Sequence, residues 1–287
     1  MGIVNLNGDS FFAGSRASGK DAVARARQMW AAGADLVDLG ACSTRPGSTQ
    51  PSLEEEWSRL EPVLTSLSYT KPAPSVYEPR ETGPSYTKPA PSVYEPRISI
   101  DTYRAEVVRR AYEIIGPFLV NDISAGEMDP DMLFTAGRLG LPYVAMHMRG
   151  TPETMQSLTD YEDVVAEVIR YFKEFEKKAA DAGIREWILD PGFGFAKTLE
   201  QNYELLGRLD EVKEAFSQEI LVGVSRKSMI YKVLGITPEE AMPATQVLNF
   251  AALERGATWL RVHDVAPAVQ TAQLYSTMYT SSPGAAK

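Results

Sequence analysis

Short apolar runs rich in valine, isoleucine and leucine alternate with longer segments of helical periodicity along nearly the whole chain. The apolar runs cover residues 2–6, 35–39, 98–100, 118–121, 143–146, 187–189, 220–224 and 259–262. Continuous apolar runs of this length, each followed by a helix, are typical of parallel strands buried on both faces. Eight such units in 287 residues fit a closed barrel better than an open sheet. The sequence therefore predicts an α/β protein built as a single (β/α)8 TIM barrel.

The segments between the strands carry recognisable helix boundaries. The helical segments are residues 21–32, 53–64, 104–115, 161–182, 199–216, 238–254 and 266–278. Ser52 with Glu55, and Thr237 with Glu240, have the spacing of a capping box. Glycine, which readily adopts the left-handed conformation at a helix end, follows three of the segments at Gly33, Gly183 and Gly256.

One segment interrupts this alternation. Residues 68–80 read SYTKPAPSVYEPR, and residues 85–97 repeat the same letters. The many prolines remove hydrogen-bond donors and disfavour helix at the preceding residues, so we expect a mobile loop between helix 2 and strand 3, at the bottom face of the barrel. A partner-binding or gating insertion and a tolerated tandem duplication are both compatible with it. We interpret residues 1–287 as one barrel domain that contains this insertion at 68–97.

Charge and cysteine content exclude several classes of protein. The chain has 38 acidic and 29 basic side chains and a net charge of −9, which argues against nucleic acid or an anionic membrane surface as the partner. No apolar run approaches the length of a membrane span, and the N-terminus lacks a signal-peptide pattern, so we expect a cytoplasmic protein. A single cysteine, Cys42, allows neither an intramolecular disulfide nor a thiolate metal cage.

Polar side chains follow the carboxyl ends of all the predicted strands, where barrel enzymes carry their active sites. Asp101, Asn121 and Asp190 are expected to converge in the barrel mouth, with Lys227 above them. Carboxylates and an amide suit a flat heterocycle with several N–H donors, whereas Arg45, Arg261 and His263 suit phosphoryl oxygens. A single aspartate at a strand end could equally cap a helix, and a lone histidine could be structural. Eight polar strand ends together predict a site.

The strand-end motifs resemble those of the dihydropteroate synthase family. The motifs, in family order, are GIVN at 2–5, STRPG at 43–47, ISIDT at 98–102, NDIS at 121–124, MHM at 146–148, DPGFGF at 190–195, SRKS at 225–228 and RVHD at 261–264. The resemblance implies a transferase of folate biosynthesis and a sulfonamide target. Its substrates would be 6-hydroxymethyl-7,8-dihydropterin diphosphate and p-aminobenzoate, and its products 7,8-dihydropteroate and pyrophosphate, formed with Mg²⁺ in an SN1-like displacement by a homodimer.

The same resemblance implies a role for each site residue. The catalytic set would be Asp101, Asp190, Lys227, Arg261 and His263. The pterin would be bound by Asp101, Asn121, Met146, Asp190, Phe195 and Lys227. The diphosphate would be bound by Asn5, Thr44, Arg261 and His263, with the Asn5 oxygen as the Mg²⁺ ligand. The p-aminobenzoate would be bound by Arg45, Pro46, Phe195 and Ser228. Asp9 and Phe11 would belong to the first catalytic loop.

Some residues depart from the family pattern. Asn7-Gly8 stands where the family usually has Thr-Pro, Cys42 replaces a common Glu, and Ala196 replaces a common Gly. The chain begins at strand 1, which we expect to cost stability at the barrel floor. Two alternatives stay open: a non-catalytic pterin-binding paralogue, which the altered first loop and the repeat favour, and a folate-to-corrinoid methyltransferase barrel, which STRPG and RVHD argue against.

Overall fold

The computed structural model describes residues 1–6, 19–41, 50–68 and 97–280. These residues form a parallel sheet of eight strands in sequential order. The strands are β1 Gly2–Asn5, β2 Val37–Gly40, β3 Ile98–Asp101, β4 Leu119–Asp122, β5 Tyr143–Met146, β6 Trp187–Asp190, β7 Glu219–Val222 and β8 Trp259–Leu260. A parallel bridge between Gly2 and Val262 joins the last strand to the first. The predicted α/β barrel is therefore confirmed.

The last strand is shorter than predicted, but its hydrogen bonding continues beyond Leu260. The amide of Arg261 donates to the carbonyl of Val222 at 2.9 Å, and the amide of Val262 donates to the carbonyl of Met1 at 2.9 Å. The chain thus passes from pairing with β7 to pairing with β1 within two residues. This change of pairing partner closes the barrel.

Ten α-helices surround the sheet within the described residues. They are α1 Gly19–Ala31, α2 Leu53–Ser68, α3 Ala105–Ile115, α4 Met132–Leu139, α5 Val164–Ala182, α6 Leu199–Gly207, α7 Leu209–Ala215, α8 Ser228–Leu234, α9 Met242–Glu254 and α10 Val265–Thr280. The capping box at the start of α2 is confirmed, since Ser52 N donates to Glu55 Oε2 at 2.8 Å and Glu55 N donates to Ser52 Oγ at 3.3 Å. None of the helices described is long and apolar enough to cross a membrane.

Two predicted helical segments differ in the structure. Segment 199–216 is two helices, because Arg208 leaves the helical conformation at φ −117° and ψ 25°. Its guanidinium is held there by hydrogen bonds to Asp163, Glu204 and Glu211. Segment 238–254 becomes helical only at Met242, because Thr237 and Glu240 form a turn rather than a helix cap.

The barrel interior changes from apolar to polar along the strands. Its floor is an apolar layer consisting of Met1, Leu36, Leu119, Val144, Ile188 and Leu221, with Trp259 packed against it. Side chains two residues apart on a strand face the same side. The next inward layer, nearer the carboxyl ends, therefore contains Asp38, Asn121, Met146, Asp190 and Arg261. A hydrophobic floor thus supports a polar mouth.

Three sets of sequence predictions lie outside the described residues. Residues 7–18 include the loop 1 candidates Asp9 and Phe11, and residues 42–49 include Thr44, Arg45 and Pro46. The repeat at 69–96 also lies outside. Its flanking elements are described, since α2 ends at Ser68 and β3 begins at Ile98. This connection therefore leaves from and returns to the amino ends of the strands, opposite the mouth.

Candidate active site

One guanidinium lies between two buried carboxylates at the centre of the barrel. Arg261 donates from Nε to Asp38 Oδ2 at 2.8 Å and from Nη2 to Asp101 Oδ2 at 2.9 Å. Asn121 donates from Nδ2 to the same Asp38 oxygen at 3.0 Å. Side chains from β2, β3, β4 and the end of β8 are thereby joined in one network. The predicted convergence of strand ends is seen here for Asp101, Asn121 and Arg261.

Asp38 is not among the site residues predicted from the sequence, although it accepts hydrogen bonds from both Arg261 and Asn121. The residue is fully buried, and its Oδ1 atom has no hydrogen-bond partner within the described structure. The missed signal was a carboxylate inside a predicted buried strand, two residues after the inward-facing Leu36. A charge in that position is costly unless it is paired, so it indicated a buried partner.

The electrostatics of this network are set by burial. Burial raises the pKa of Asp101 to about 7, although Arg261 acts in the opposite direction, and Asp38 raises it further. Burial also opposes the charge on Arg261, but Asp38 and Asp101 outweigh it, so the pKa of Arg261 lies above its ordinary value. The site therefore contains a permanent cation and a carboxyl group that is poised to titrate near neutral pH.

The loop after β6 forms a second part of the mouth. Asp190 Oδ1 accepts a hydrogen bond from the amide of Gly192 at 2.8 Å. Burial raises the pKa of Asp190, and Lys227 lowers it. Lys227 Nζ donates to the carbonyl of Phe193 at 2.5 Å and lies 4.8 Å from the centroid of the Phe195 ring. Burial lowers the pKa of Lys227 to about 8, while Asp190 acts to raise it.

Hydrogen bonds and an ion pair connect the segments that follow β7 and β8. The His263 amide donates to Ser225 Oγ at 3.2 Å, and His263 Nδ1 lies 3.0 Å from the same hydroxyl. Arg226 forms two hydrogen bonds to the Asp264 carboxylate, at 2.8 and 2.9 Å. Burial lowers the pKa of His263 to about 3, with Arg261 acting in the same direction. The imidazole is therefore neutral at pH 7.

Asn5 and Gly40 border the same mouth from β1 and β2. A Cβ atom placed on Gly40 would lie 3.5 Å from Asp101 Oδ2 and 3.7 Å from Asn5 Oδ1. The absence of a side chain at Gly40 thus leaves space between the two oxygens. Asn5 is half-buried, so its amide group borders both the network and the open side.

Strained backbone occurs at this end of the barrel. In the part of the chain that the structure describes, the non-glycine residues with positive φ are Ala125 at 49°, Ala196 at 48° and Arg226 at 54°. They lie in the loops after β4, β6 and β7. Such strain tends to be retained at functional sites. The left-handed conformation at Ala196 also gives a physical reason why a glycine would suit that position.

The other predicted site residues that the structure describes lie around the same mouth. Met146 and Phe195 belong to one buried cluster with Ile123, Met148 and Met155. Ser228 is the first residue of α8 and is half-buried. No group of three or more His, Cys, Asp or Glu side chains is arranged to hold a metal within the described residues.

Comparison with known proteins agrees with this geometry. The family model described as pterin binding enzyme matches residues 1–74 and 88–263. Dihydropteroate synthase of Escherichia coli K12 is 39% identical over 273 residues, which cover 94% of this chain and 88% of that protein.

Solved structures give the same result. The Yersinia pestis dihydropteroate synthase with a sulfonamide drug complex superposes with a TM-score of 0.84 at 32% identity, and covers 98% of this chain and 93% of that one. Burkholderia cenocepacia dihydropteroate synthase complexed with 7,8-dihydropteroate gives 0.79 at 33% identity, with 98% and 91% coverage. This chain belongs to the dihydropteroate synthase family of pterin-binding enzymes.

Proposed function

We propose that this protein is a dihydropteroate synthase, which joins 6-hydroxymethyl-7,8-dihydropterin diphosphate to p-aminobenzoate and releases pyrophosphate. The observation that carries the proposal is the convergence of hydrogen-bond acceptors on β3, β4 and β6 with the cationic groups of Lys227 and Arg261 in one barrel mouth. A substrate with a donor-rich ring at one end and a polyanion at the other would satisfy both sets. Family membership gives the same assignment.

The pterin end of the substrate is bound by the acceptor side of the mouth. Asp101 and Asp190 accept N–H groups of the ring, and Asn121 and Lys227 complete its hydrogen bonds. Met146 and Phe195 supply apolar contact to the ring faces. Because the carboxyl groups are buried, they interact strongly with charge that develops on the pterin.

The diphosphate end is bound near the exit of β8, with Thr44 as a further contact. His263 is neutral, so it donates a hydrogen bond without adding positive charge. Arg261 keeps its charge at every relevant pH, but Asp38 and Asp101 already occupy its Nε and Nη2 groups. The guanidinium is thus oriented before the substrate arrives and costs little reorganisation during the reaction.

The proposed chemical step is an SN1-like displacement. The C–O bond to the diphosphate breaks first, so positive charge grows on the pterin and negative charge on the leaving group. Asp101 and Asp190 stabilise the first charge, and Arg261 and His263 stabilise the second. The amine of p-aminobenzoate then adds to the pterin carbon, and its proton is lost. Phe195 and Ser228 contribute to the binding of this second substrate, together with Arg45 and Pro46. Asp9 and Phe11 are assigned to the first catalytic loop.

The residues at the mouth fit a Mg²⁺ ion shared with the substrate. Mg²⁺ prefers oxygen ligands and usually keeps phosphate oxygens and water among them. Asn5 offers a neutral amide oxygen beside the space left by Gly40. When bound, the ion would neutralise charge on the leaving diphosphate.

The assembly that we propose is a homodimer of single-domain barrels, each spanning residues 1–287 with the insertion at 68–97. Helices α9 and α10 pack together and expose Val247, Leu274 and Met278, each more than half accessible. An apolar outer face on two adjacent helices favours burial against a second copy. The cytoplasmic location stays a prediction from the sequence.

A coupled assay for pyrophosphate release tests the proposed function. We expect release only when the pterin diphosphate, p-aminobenzoate and Mg²⁺ are all present. Pterin binding without turnover would instead favour the non-catalytic paralogue. Release that does not depend on p-aminobenzoate would contradict the proposed transfer.

A further inference from the structure

A buried lysine lies behind the β6–α6 loop, on the side away from the barrel interior. Lys197 Nζ donates to the carbonyls of Gly192 and Phe195 at 3.0 and 3.1 Å, and lies 2.9 Å from His147 Nδ1. The residue is only 4% exposed. An ammonium group has three N–H donors, so these contacts use all of them.

The third contact joins Lys197 to the His147 imidazole, which accepts at Nδ1 when Lys197 is protonated. Burial lowers the pKa of His147 well below its ordinary value, and Lys197 acts in the same direction. The imidazole is therefore neutral. Its ring packs edge-on against Tyr171 at a centroid distance of 4.9 Å. Lys197 thus connects the loop to His147, whose ring packs against Tyr171 of α5.

The loop has little room to move away from the end of β5. The His147 amide donates to the carbonyl of Asp190 at 2.9 Å. Gly192 lies so close that a Cβ atom placed on it would be 2.0 Å from the His147 carbonyl oxygen. Asn202 accepts a hydrogen bond from the Gly194 amide at 2.6 Å. Lys197 is the cationic contact in this set, and it binds two carbonyls of the same loop.

The opposite side of the same loop faces the proposed pterin site. Asp190 begins the loop, and the ring of Phe195 lies under Lys227. The carbonyl that Lys197 binds at Phe195 belongs to the residue whose ring would contact the pterin. We propose that Lys197 is a positioning residue for pterin binding, which sets the orientation of Asp190 and Phe195 by holding the back of this loop. This inference rests on the proposed function.

The charges around Lys197 are consistent with that role. Burial lowers the pKa of Lys197 to about 7, whereas Asp190 raises it and Lys227 and Arg149 lower it. The ammonium in turn lowers the pKa of Asp190. The lysine thus favours the ionised form of the carboxyl group that accepts the pterin N–H groups.

The test compares two ligands that occupy different ends of the site. Lys197→Met keeps the length of the side chain and removes its charge and donors. Lys213→Met is the matched control, because Lys213 donates to the Gln218 carbonyl at 3.1 Å before β7, at the barrel floor. Binding of an uncharged 6-hydroxymethylpterin and of inorganic pyrophosphate with Mg²⁺ is measured by calorimetry for the parent and each variant.

We expect Lys197→Met to raise the Kd for the pterin at least tenfold and to leave the Kd for pyrophosphate within about twofold, with both values unchanged in the control. If Lys197→Met does not fold, Lys197→Gln, whose amide keeps two donors, is expected to show the same selective loss. Pterin affinity within twofold of the parent, or equal losses for both ligands, would overturn the inference alone. A parent protein that binds neither ligand would overturn the proposed function as well.

Discussion

At the level of single residues, Asp190 provides a direct test of the acceptor requirement at the mouth. Asp190→Asn keeps the shape of the side chain but presents N–H donors where the pterin also has donors. We expect the affinity for a pterin to fall by about five- to 150-fold, since a mismatched buried polar pair costs about 1–3 kcal/mol. Calorimetry measures this loss. Unchanged affinity would remove Asp190 from the proposed site.

The raised pKa of Asp101 predicts a pH dependence of stability. With a pKa of about 7 in the folded state and near its ordinary value in the unfolded state, Asp101 binds more protons when folded. Its contribution to stability is therefore fully present below about pH 4 and is lost as the pH rises through 7.

Asp101→Asn removes this titration. We expect the free energy of unfolding of the variant, relative to the parent, to increase by about 2–3 kcal/mol between pH 5 and pH 7.5. Urea unfolding of both proteins at the two pH values gives the comparison. If the difference in unfolding free energy between variant and parent is the same at both pH values, Arg261 keeps Asp101 ionised over this range.

Asp38 shows why part of the site could not be predicted from the sequence. Asp101, Asn121 and Asp190 stand at strand ends, which the apolar pattern locates to within a residue. Asp38 lies inside β2, two residues before the end of that strand, and its importance depends on Arg261, which is more than two hundred residues away in the chain. Which side chains share a layer is decided by strand register around the closed barrel, and a single sequence does not contain that register.

At the level of elements, the β6–α6 loop is closely packed against the end of β5. Gly192 has φ of +72°, and a Cβ atom there would meet the His147 carbonyl at 2.0 Å. Gly140, at the end of α4, has a similar φ of +64°, but a Cβ atom placed on it would have nothing within 4 Å. Alanine substitutions at the two positions therefore distinguish the cost of backbone strain from the cost of steric overlap.

We expect Gly140→Ala to lower the free energy of unfolding by about 1–2 kcal/mol, the cost of a left-handed alanine. Gly192→Ala should cost at least about 3 kcal/mol or move the loop, and pterin binding should be lost in either case. Thermal unfolding and calorimetry on both variants measure these effects. Equal destabilisation of the two variants, with pterin binding retained, would contradict the close packing described here.

Strands were easier to predict than helices in this chain, for a physical reason. Most strand residues are buried and apolar, so the positions of the strands are clear from the sequence even where a polar residue such as Asp38 or Ser99 interrupts the run. Helix ends depend on contacts that the periodicity does not contain. The break at Arg208 needs Asp163, forty-five residues earlier. Helix α4 covers only Met132–Leu139 and is not among the helical segments predicted from the sequence.

For the whole molecule, the apolar face of α9 and α10 predicts the assembly. Leu274→Glu should dissociate the proposed homodimer, because it places a charge in the middle of the exposed apolar face. Phe134→Glu on α4 is the control, since Phe134 is 58% exposed and Leu274 is 64% exposed. Sedimentation velocity of the parent and both variants checks the outcome. A parent that is monomeric at micromolar concentration would contradict the proposal.

The repeat at 68–97 tests whether residues added at the floor of the barrel affect the mouth. The connection joins the end of α2 to the start of β3, so both attachment points lie at the floor, below the apolar layer that supports the mouth. The family model omits residues 75–87 within it. Loop closure costs grow slowly with length, so a barrel tolerates added residues there with little effect on its stability.

Deleting residues 68–84 removes one copy and the linker and leaves residues 85–97 to join α2 to β3. We expect kcat and both KM values within about threefold of the parent, a barrier change below roughly 0.7 kcal/mol. Steady-state kinetics and thermal unfolding of the shortened protein provide the measurement. A hundredfold loss of kcat/KM at an unchanged Tm would mean that this segment acts on the catalytic end of the barrel, either directly or across a subunit contact, although its attachment points lie at the floor.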